Sequence, residues 1–402
     1  MSRMMGVRVR NALDQLQRTS IRQPGDVHGK AQLMHPVTVG VIGCGQISAI
    51  YLQNCTHRFD SLTVVAVADL LPALARQRAA EYQIPHVYTV EQLLAQPDIE
   101  LILDLTSPQA HAAVNQQALQ AGKHVYTEKP FALTAGDADA VLALARSKQL
   151  RVGCAPDTFL GAGLQTCRTL IDDGAIGIPY AASGLILMGN HSDGQHPRFE
   201  SYLQLGWDPL FDMAPYYLTA LVFLLGPVRR VTGATGQVHR TITITNPQLP
   251  RYGETVPVAA PMNTAATLDF DSGAIATLQA AKESFGYTPR LEIYGTEGIL
   301  YAPDPNMFGG PIRIRRRDGS IVDVPYTHGF SDNSRGIGAA DLATALRTGR
   351  PHRATGELAR HVVEITLGIF EASRTERHIT LTTRCERPAP LPRGLPANQL
   401  DA

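Results

Sequence analysis

No apolar run in this chain approaches the roughly 20 residues that a membrane-spanning helix needs, so an integral helical membrane protein is excluded at the start. Charge of one sign is also lacking. Lys+Arg and Asp+Glu each total 36, which leaves no global field to draw in nucleic acid or an anionic membrane surface. Cysteine is sparse and scattered: the five, at 44, 55, 154, 167 and 385, form no C-x-x-C pair, and most sit inside expected elements. Such spacing argues against structural disulfides and zinc, and leads us to expect a reducing, cytoplasmic setting and no metal. The first residues lack an apolar h-region and a twin arginine, so they are not read as a secretion signal. They carry Arg3, Arg8, Arg10, Arg18 and Arg22 against Asp14 and Asp26. Residues 1–36 are read as a flexible extension, with an organelle transit peptide as the alternative. No internal repeat is visible.

What is present suffices for two domains, each with a sizeable core: 402 residues, 44% hydrophobic and 18% charged. The organising stretch is Val37 to Leu52. Val37 to Ile42 is an apolar run rich in valine that suits a strand buried on both faces. The chain then turns through Gly43-Cys44-Gly45 into a helical pattern opened by Gln46, Ile47 and Ser48. Strand, glycine turn and helix make a pyrophosphate site. Gly43 permits the tight turn, Gly45 lets backbone approach the phosphates, and the helix N-terminus presents unpaired N–H groups. Ser48 stands where G-x-G-x-x-G has its third glycine, and it is small enough for close helix–strand packing. Glycine turns after strands are common, so the motif alone does not decide.

Strand and helix then alternate without interruption. Strands are expected at 62–68, 87–88, 101–105, 124–126 and 151–154, with helices between them, one opened by a Thr89/Gln92 capping box and one capped by Thr134. This is the grammar of a doubly wound parallel sheet, whose ligands bind beyond the carboxyl ends of the strands. The loops there are informative. Asp69 closes the second strand 26 residues after Gly43, where a carboxylate accepts from both ribose hydroxyls of an adenosine; a simple turn ahead of Pro72 is the competing reading. Thr106, Pro108 and His111 follow the fourth strand, and Glu128-Lys129-Pro130 follows the fifth. No other cation follows a sheet strand at that end.

From about Ala181 strands follow one another, separated by turns such as Asp271-Ser272-Gly273 and Asp318-Gly319. The second half is therefore read as an α+β domain with a large, mainly antiparallel open sheet. The expected divisions are an extension at 1–36, a cofactor domain at 37–158, a substrate and oligomerisation domain at 159–385, and a proline-rich tail, extended or disordered, at 386–402. Loops near 155–165, 189–208 and 283–290 are expected to line the substrate, with Asp157, His191 and His196 as candidate contacts. His191 and His196 flank Asp193, but three ligand candidates in a glycine-containing loop fall short of a metal site.

The V-x-G-x-G-x-x-S turn, Asp69, Thr106-x-Pro108-x-x-His111 and above all Glu128-Lys129-Pro130 occur in order. With the later sheet they resemble the glucose-fructose oxidoreductase, inositol dehydrogenase and rhizopine-catabolism (MocA) family, over roughly Thr38 to Leu381. The resemblance implies a Rossmann domain holding a nicotinamide cofactor through Gly43, Gly45, Gln46, Ile47, Ser48, Asp69, Thr106, Pro108, His111, Glu128 and Lys129. In this family the lysine of E-K-P contacts the reacting oxygen, and its bond to proline is often cis; here these are Lys129 and Pro130. The family's D-x-G-x-H motif matches Asp212-Met213-Ala214-Pro215-Tyr216, with tyrosine in the histidine position, as in some branches. Without the resemblance Asp212 reads as a helix cap and Tyr216 as a packed aromatic.

The expected function is hydride transfer between NAD(H), rather than NADP(H), and a secondary alcohol or ketone of a sugar, cyclitol or related polyol. Lys129, Tyr216 and Asp212 form the chemical centre. The assembly is expected to be a homodimer or homotetramer, with no nucleic-acid or membrane partner. The alternatives are a glycosidase or dehydratase that oxidises transiently, and a cofactor-sensing regulator without turnover.

Overall fold

The computed structural model describes residues 35–189, 203–282, 284–395 and 399–401. Its first layer is a six-stranded sheet of β1 (Val37–Ile42), β2 (Leu62–Ala68), β3 (His86–Tyr88), β4 (Leu101–Asp104), β5 (His124–Thr127) and β6 (Val152–Cys154). The order is β3-β2-β1-β4-β5-β6, parallel throughout. Strand order reverses between β1 and β4, so a crevice opens beyond their carboxyl ends. The crossover helices are α1 (Ser48–His57), α2 (Pro72–Tyr82), α3 (Val90–Leu94), α4 (His111–Gln120) and α5 (Ala135–Ser147). Both expected caps are made: Thr89 and Gln92 close a capping box on α3, and the Thr134 hydroxyl accepts from the Asp137 amide on α5.

The helices α6 (Ala162–Asp172), α7 (Pro209–Asp212), α8 (Ala214–Leu225), α9 (Ile337–Thr348) and α10 (Gly356–Thr375) come from the rest of the chain. Two of them return to the first sheet. Gly338 of α9 lies so close to Tyr126 of β5 that a Cβ there would meet its hydroxyl, and Ala359 and Val363 of α10 join the core formed by Val141, Leu142 and Val152. The 37–158 segment therefore shares its core with helices some two hundred residues away.

The second sheet has nine strands in the order β16-β15-β14-β13-β7-β12-β11-β8-β17. They are β7 (Pro179–Met188), β8 (Val228–Gly236), β11 (Asn263–Phe270), β12 (Ile275–Ala281), β13 (Tyr287–Gly295), β14 (Gly298–Ala302), β15 (Arg313–Arg316), β16 (Ile321–Asp323) and β17 (Ile379–Thr380). All pairs are antiparallel except β7 with β12. Outside this sheet, β9 (Thr241–Thr243) pairs with β10 (Thr255–Pro257) in a separate antiparallel ribbon. Alternation puts Ala266, Leu268, Ala276, Leu278 and Leu291 on the inner face, under the chain's own helices. β10, β14 and β17 went unanticipated because a tripeptide, a glycine-led pentapeptide and a dipeptide carry too little periodicity; their strand partners define them.

The tail is extended and docked. Leu391 is buried and its N–H donates to Gln165 Oε1 at 2.8 Å, while Arg387 donates to the carbonyls of Phe223 and Leu224. Among the described residues no helix is long and apolar enough to cross a membrane.

Candidate active site

The glycine turn is built as its residues require. Gly43 adopts φ +100°, and a Cβ there would lie 2.6 Å from the Leu105 backbone, so both conformation and space demand glycine. A Cβ on Gly45 meets nothing within 4 Å. It would project into a cleft of about 1390 Å³ that runs along the β1/β4 crevice, past Gly43, Gly45, Gln46, Ile47 and Asp69, then Thr106 and Pro108, to Glu128, Lys129 and Tyr216. Asp69 is fixed from two sides, Oδ2 accepting from the Cys44 amide at 2.7 Å and Oδ1 from the Leu71 amide at 2.8 Å. A glycine turn with Gly45 bared to open space, helix-opening amides and a fixed carboxylate about twenty residues on fit a dinucleotide.

At the far end Glu128 is buried and organises the backbone of the E-K-P turn. Its Oε1 accepts from the Tyr51 hydroxyl at 2.7 Å and its Oε2 from the Lys129 amide at 2.9 Å. The Lys129–Pro130 bond is cis, as the resemblance implied. Lys129 Nζ donates to Asp212 Oδ1 at 2.8 Å and to the Asp212 carbonyl at 2.7 Å. An ammonium has three N–H donors, and two of them are engaged by Asp212. The Tyr216 ring centroid lies 5.4 Å from Lys129 Nζ and 6.0 Å from Arg335 Cζ. Burial alone would push the Lys129 pKa down, but Asp212, Tyr216 and Glu128 outweigh it and hold the ammonium above its usual range. Burial pushes the Tyr216 phenol up, against the pull of Lys129 and Arg335.

Asp212 is not the helix cap. That role belongs to Asp208, whose carboxylate accepts from the Leu210, Phe211 and Gly206 amides. The helix expected to begin near Asp212 is two pieces, α7 ending at Asp212 and α8 carrying Pro215 in its first turn. The break at Met213 leaves Asp212 and Tyr216 both directed to Lys129.

Three candidate contacts lie elsewhere. Ser48 is fully buried and donates to the Gly45 carbonyl at 2.6 Å, tightening the turn from behind. His111 is buried between the carbonyls of Pro130, at 2.7 Å, and Thr106, at 3.2 Å, and so supports both cleft loops without lining the cleft. Asp157 is buried, with Oδ2 accepting from the Gly336 and Gly338 amides at the start of α9, so it caps a helix and is not among the residues lining the cleft. His191 and His196 lie outside the described residues.

Sequence reasoning missed three residues here. Lys282, fully buried just after β12, approaches Asp212 Oδ2 at 3.7 Å, so a second cation does follow a sheet strand at this end. Arg335 is aimed by Asn306 and Asn333 beside Tyr216, and Trp207 lines the cleft. A lysine closing an apolar alternating strand was the available signal for the first; nothing local marks the other two.

Comparison with known proteins agrees with this geometry. The model described as "Oxidoreductase family, NAD-binding Rossmann fold" matches residues 37–155, and that of the GFO/IDH/MocA C-terminal domain matches 164–301. The chain belongs to the Gfo/Idh/MocA family of oxidoreductases. Among family relatives, it is 29% identical over 330 residues to a dTDP-3,4-didehydro-2,6-dideoxy-alpha-D-glucose 3-reductase of Streptomyces violaceoruber, covering 80% of this chain and 89% of the relative. It is 22% identical over 267 residues to the myo-inositol 2-dehydrogenase of Thermotoga maritima, covering 66% and 74%. The apo form of a levoglucosan dehydrogenase shares the fold with a TM-score of 0.77 at 20% identity, over 88% of this chain and all of that one. The same enzyme is also known in a complex with NADH and L-sorbose.

Proposed function

We propose that this Gfo/Idh/MocA oxidoreductase is an NAD-dependent dehydrogenase or ketoreductase acting on a secondary alcohol or ketone of a sugar, cyclitol or related polyol. The observation that carries the reading is the convergence of Lys129, Asp212 and Tyr216 at the inner end of the dinucleotide cleft. When bound, the nicotinamide accepts the carbinol hydride or returns it. Tyr216 takes the hydroxyl proton in oxidation as tyrosinate, the form that Lys129 and Arg335 favour against burial, and as the phenol gives it back in reduction; Lys129 donates a hydrogen bond to the reacting oxygen, stabilising developing alkoxide. Asp212 keeps Lys129 charged and aimed. The inositol and sugar relatives support the substrate class, and Asp69 supports NAD because a carboxylate at the ribose repels a 2′-phosphate.

A panel of sugars and cyclitols followed by NADH absorbance tests this. Tyr216→Phe, which keeps the ring, and Lys129→Met, which keeps most of the stem, are expected to lower turnover by about a hundredfold to ten-thousandfold with cofactor affinity nearly intact. Retained turnover in Lys129→Met would overturn the reading. If Tyr216→Phe were near wild type while Asp212→Asn lost activity, the base would be Asp212. A released group without net NADH would point instead to transient oxidation.

A further inference from the structure

We propose that Lys282 is a positioning residue: its buried ammonium holds the second oxygen of Asp212 and the carbonyl of Trp207, and thereby aims Lys129 at the reacting oxygen. The inference rests on the function proposed above. Lysine is almost never fully buried unless it is paired, yet the Lys282 side chain has no exposure at all. Its Nζ donates to the Trp207 carbonyl and stands 3.7 Å from Asp212 Oδ2, while Asp212 Oδ1 serves Lys129 at 2.8 Å. A carboxylate hydrogen-bonded through one oxygen and drawn to a cation 3.7 Å from the other is biased toward that one orientation. Lys129, which takes one oxygen and the carbonyl of that residue, inherits the orientation.

A filler role does not account for this residue. Methionine or leucine would occupy the slot without the cost of desolvating an ammonium. That cost registers here, since burial outweighs the Asp212 and Asp208 carboxylates, and Lys129 adds repulsion, bringing Lys282 down to about 8. A charge kept where the fold disfavours it is the mark of a site organised for function at the expense of stability. The Trp207 contact extends the effect to the cleft wall that Trp207 forms.

The test compares Lys282→Met, Lys282→Gln, Asp212→Asn and the double variant Lys282→Met/Asp212→Asn, on the panel substrate turned over fastest. Lys282→Met is expected to lose about tenfold to a hundredfold in kcat with little change in KM, as expected for a misaimed group. If Lys282 acts through Asp212, the double variant is no slower than Asp212→Asn alone. Trp207 is the only tryptophan, so its emission reports the second contact without turnover. Lys282→Met should shift that emission. Lys282→Gln, which retains a donor, should keep it while sharing the loss of kcat, and it carries the kinetic test should the methionine variant fold poorly. Wild-type kcat in both single variants at Lys282, or additive losses in the double variant, would overturn the proposal; unchanged emission in Lys282→Met would remove the Trp207 contact from it. Retained turnover in Lys129→Met would instead show that the proposed function itself is at fault.

Discussion

The proposed cofactor preference rests on one side chain, Asp69. Its carboxylate is locked by the Cys44 and Leu71 amides, so it cannot swing away from a ribose brought against the glycine turn. Leu70 and Leu71 beside it are exposed and uncharged, while Arg76 lines the same cleft. Wild type is therefore expected to prefer NAD over NADP in kcat/KM. Asp69→Ser should shift the ratio toward NADP by at least about tenfold, since removing a like-charge contact is worth on the order of a kcal/mol or more and leaves Arg76 to meet the phosphate. Steady-state kinetics with both cofactors check this, and an NADP preference in wild type would refute the assignment. Asp69 was legible in the sequence because the distance from a glycine turn to the end of the next strand is a local property. The role of Asp212 was not, since its partners lie 83 residues before it and 70 after it.

At the scale of elements, one join between the two halves is a carboxylate buried at a helix end. Asp157 caps α9, and burial, opposed by the Gly338 amide, Arg335 and the Gly336 amide, raises its pKa from 3.8 to about 6. A raised carboxyl pKa means that the folded state binds the proton more tightly. Stability from this group is therefore greatest at low pH, falls as pH rises from about 3.8 to about 6, and is level above that. Asp157→Asn is neutral and its Oδ1 still accepts from both amides, so it should flatten this part of the melting-temperature profile, read as wild type minus variant between pH 4 and 7. A profile parallel to wild type would contradict the assignment. The subtraction matters because His361 on α10 works the other way. Its Nε2 accepts from the Val228 amide at the start of β8 at 3.0 Å, and burial holds it down at about 4, so its contribution is lost as pH falls from 6.5 toward 4.

At the scale of the whole molecule, the nine-stranded sheet covers its inner face with the chain's own helices and leaves its outer face open. The apolar face is thus already covered and does not by itself call for a partner chain. The open face carries Ser183, Thr232, Thr267, Thr277, Gln279 and Arg290 around a shallow cavity of about 480 Å³, with Leu185 and exposed Ile275 among them. A broad, flat, mixed surface of this kind still suits a two-fold partner, because each copy presents the same patch. We expect a homodimer or a dimer of dimers by light scattering at micromolar concentration. Thr277→Arg, central on that face and away from the cleft, should shift the population toward monomer while preserving the fold. A wild-type monomer would remove the oligomer from the picture.

The sequence by itself determined the elements whose cause is local. Buried valine-rich strands, the Gly43 turn, the Thr89 and Thr134 caps and the Glu128-Lys129-Pro130 turn all follow from periodicity and backbone chemistry within a few residues. Tertiary structure decided whatever depends on partners distant in sequence. It made Asp208 and not Asp212 the cap, turned Asp157 and His111 into supports, and brought Lys282 to Asp212 and Arg335 to Tyr216. It also set β7 parallel to β12, closed the first sheet with α9 and α10, and docked the proline-rich tail. Local pattern states which face of an element is apolar, but not which element will cover it, nor which buried charge will find its counter-charge there.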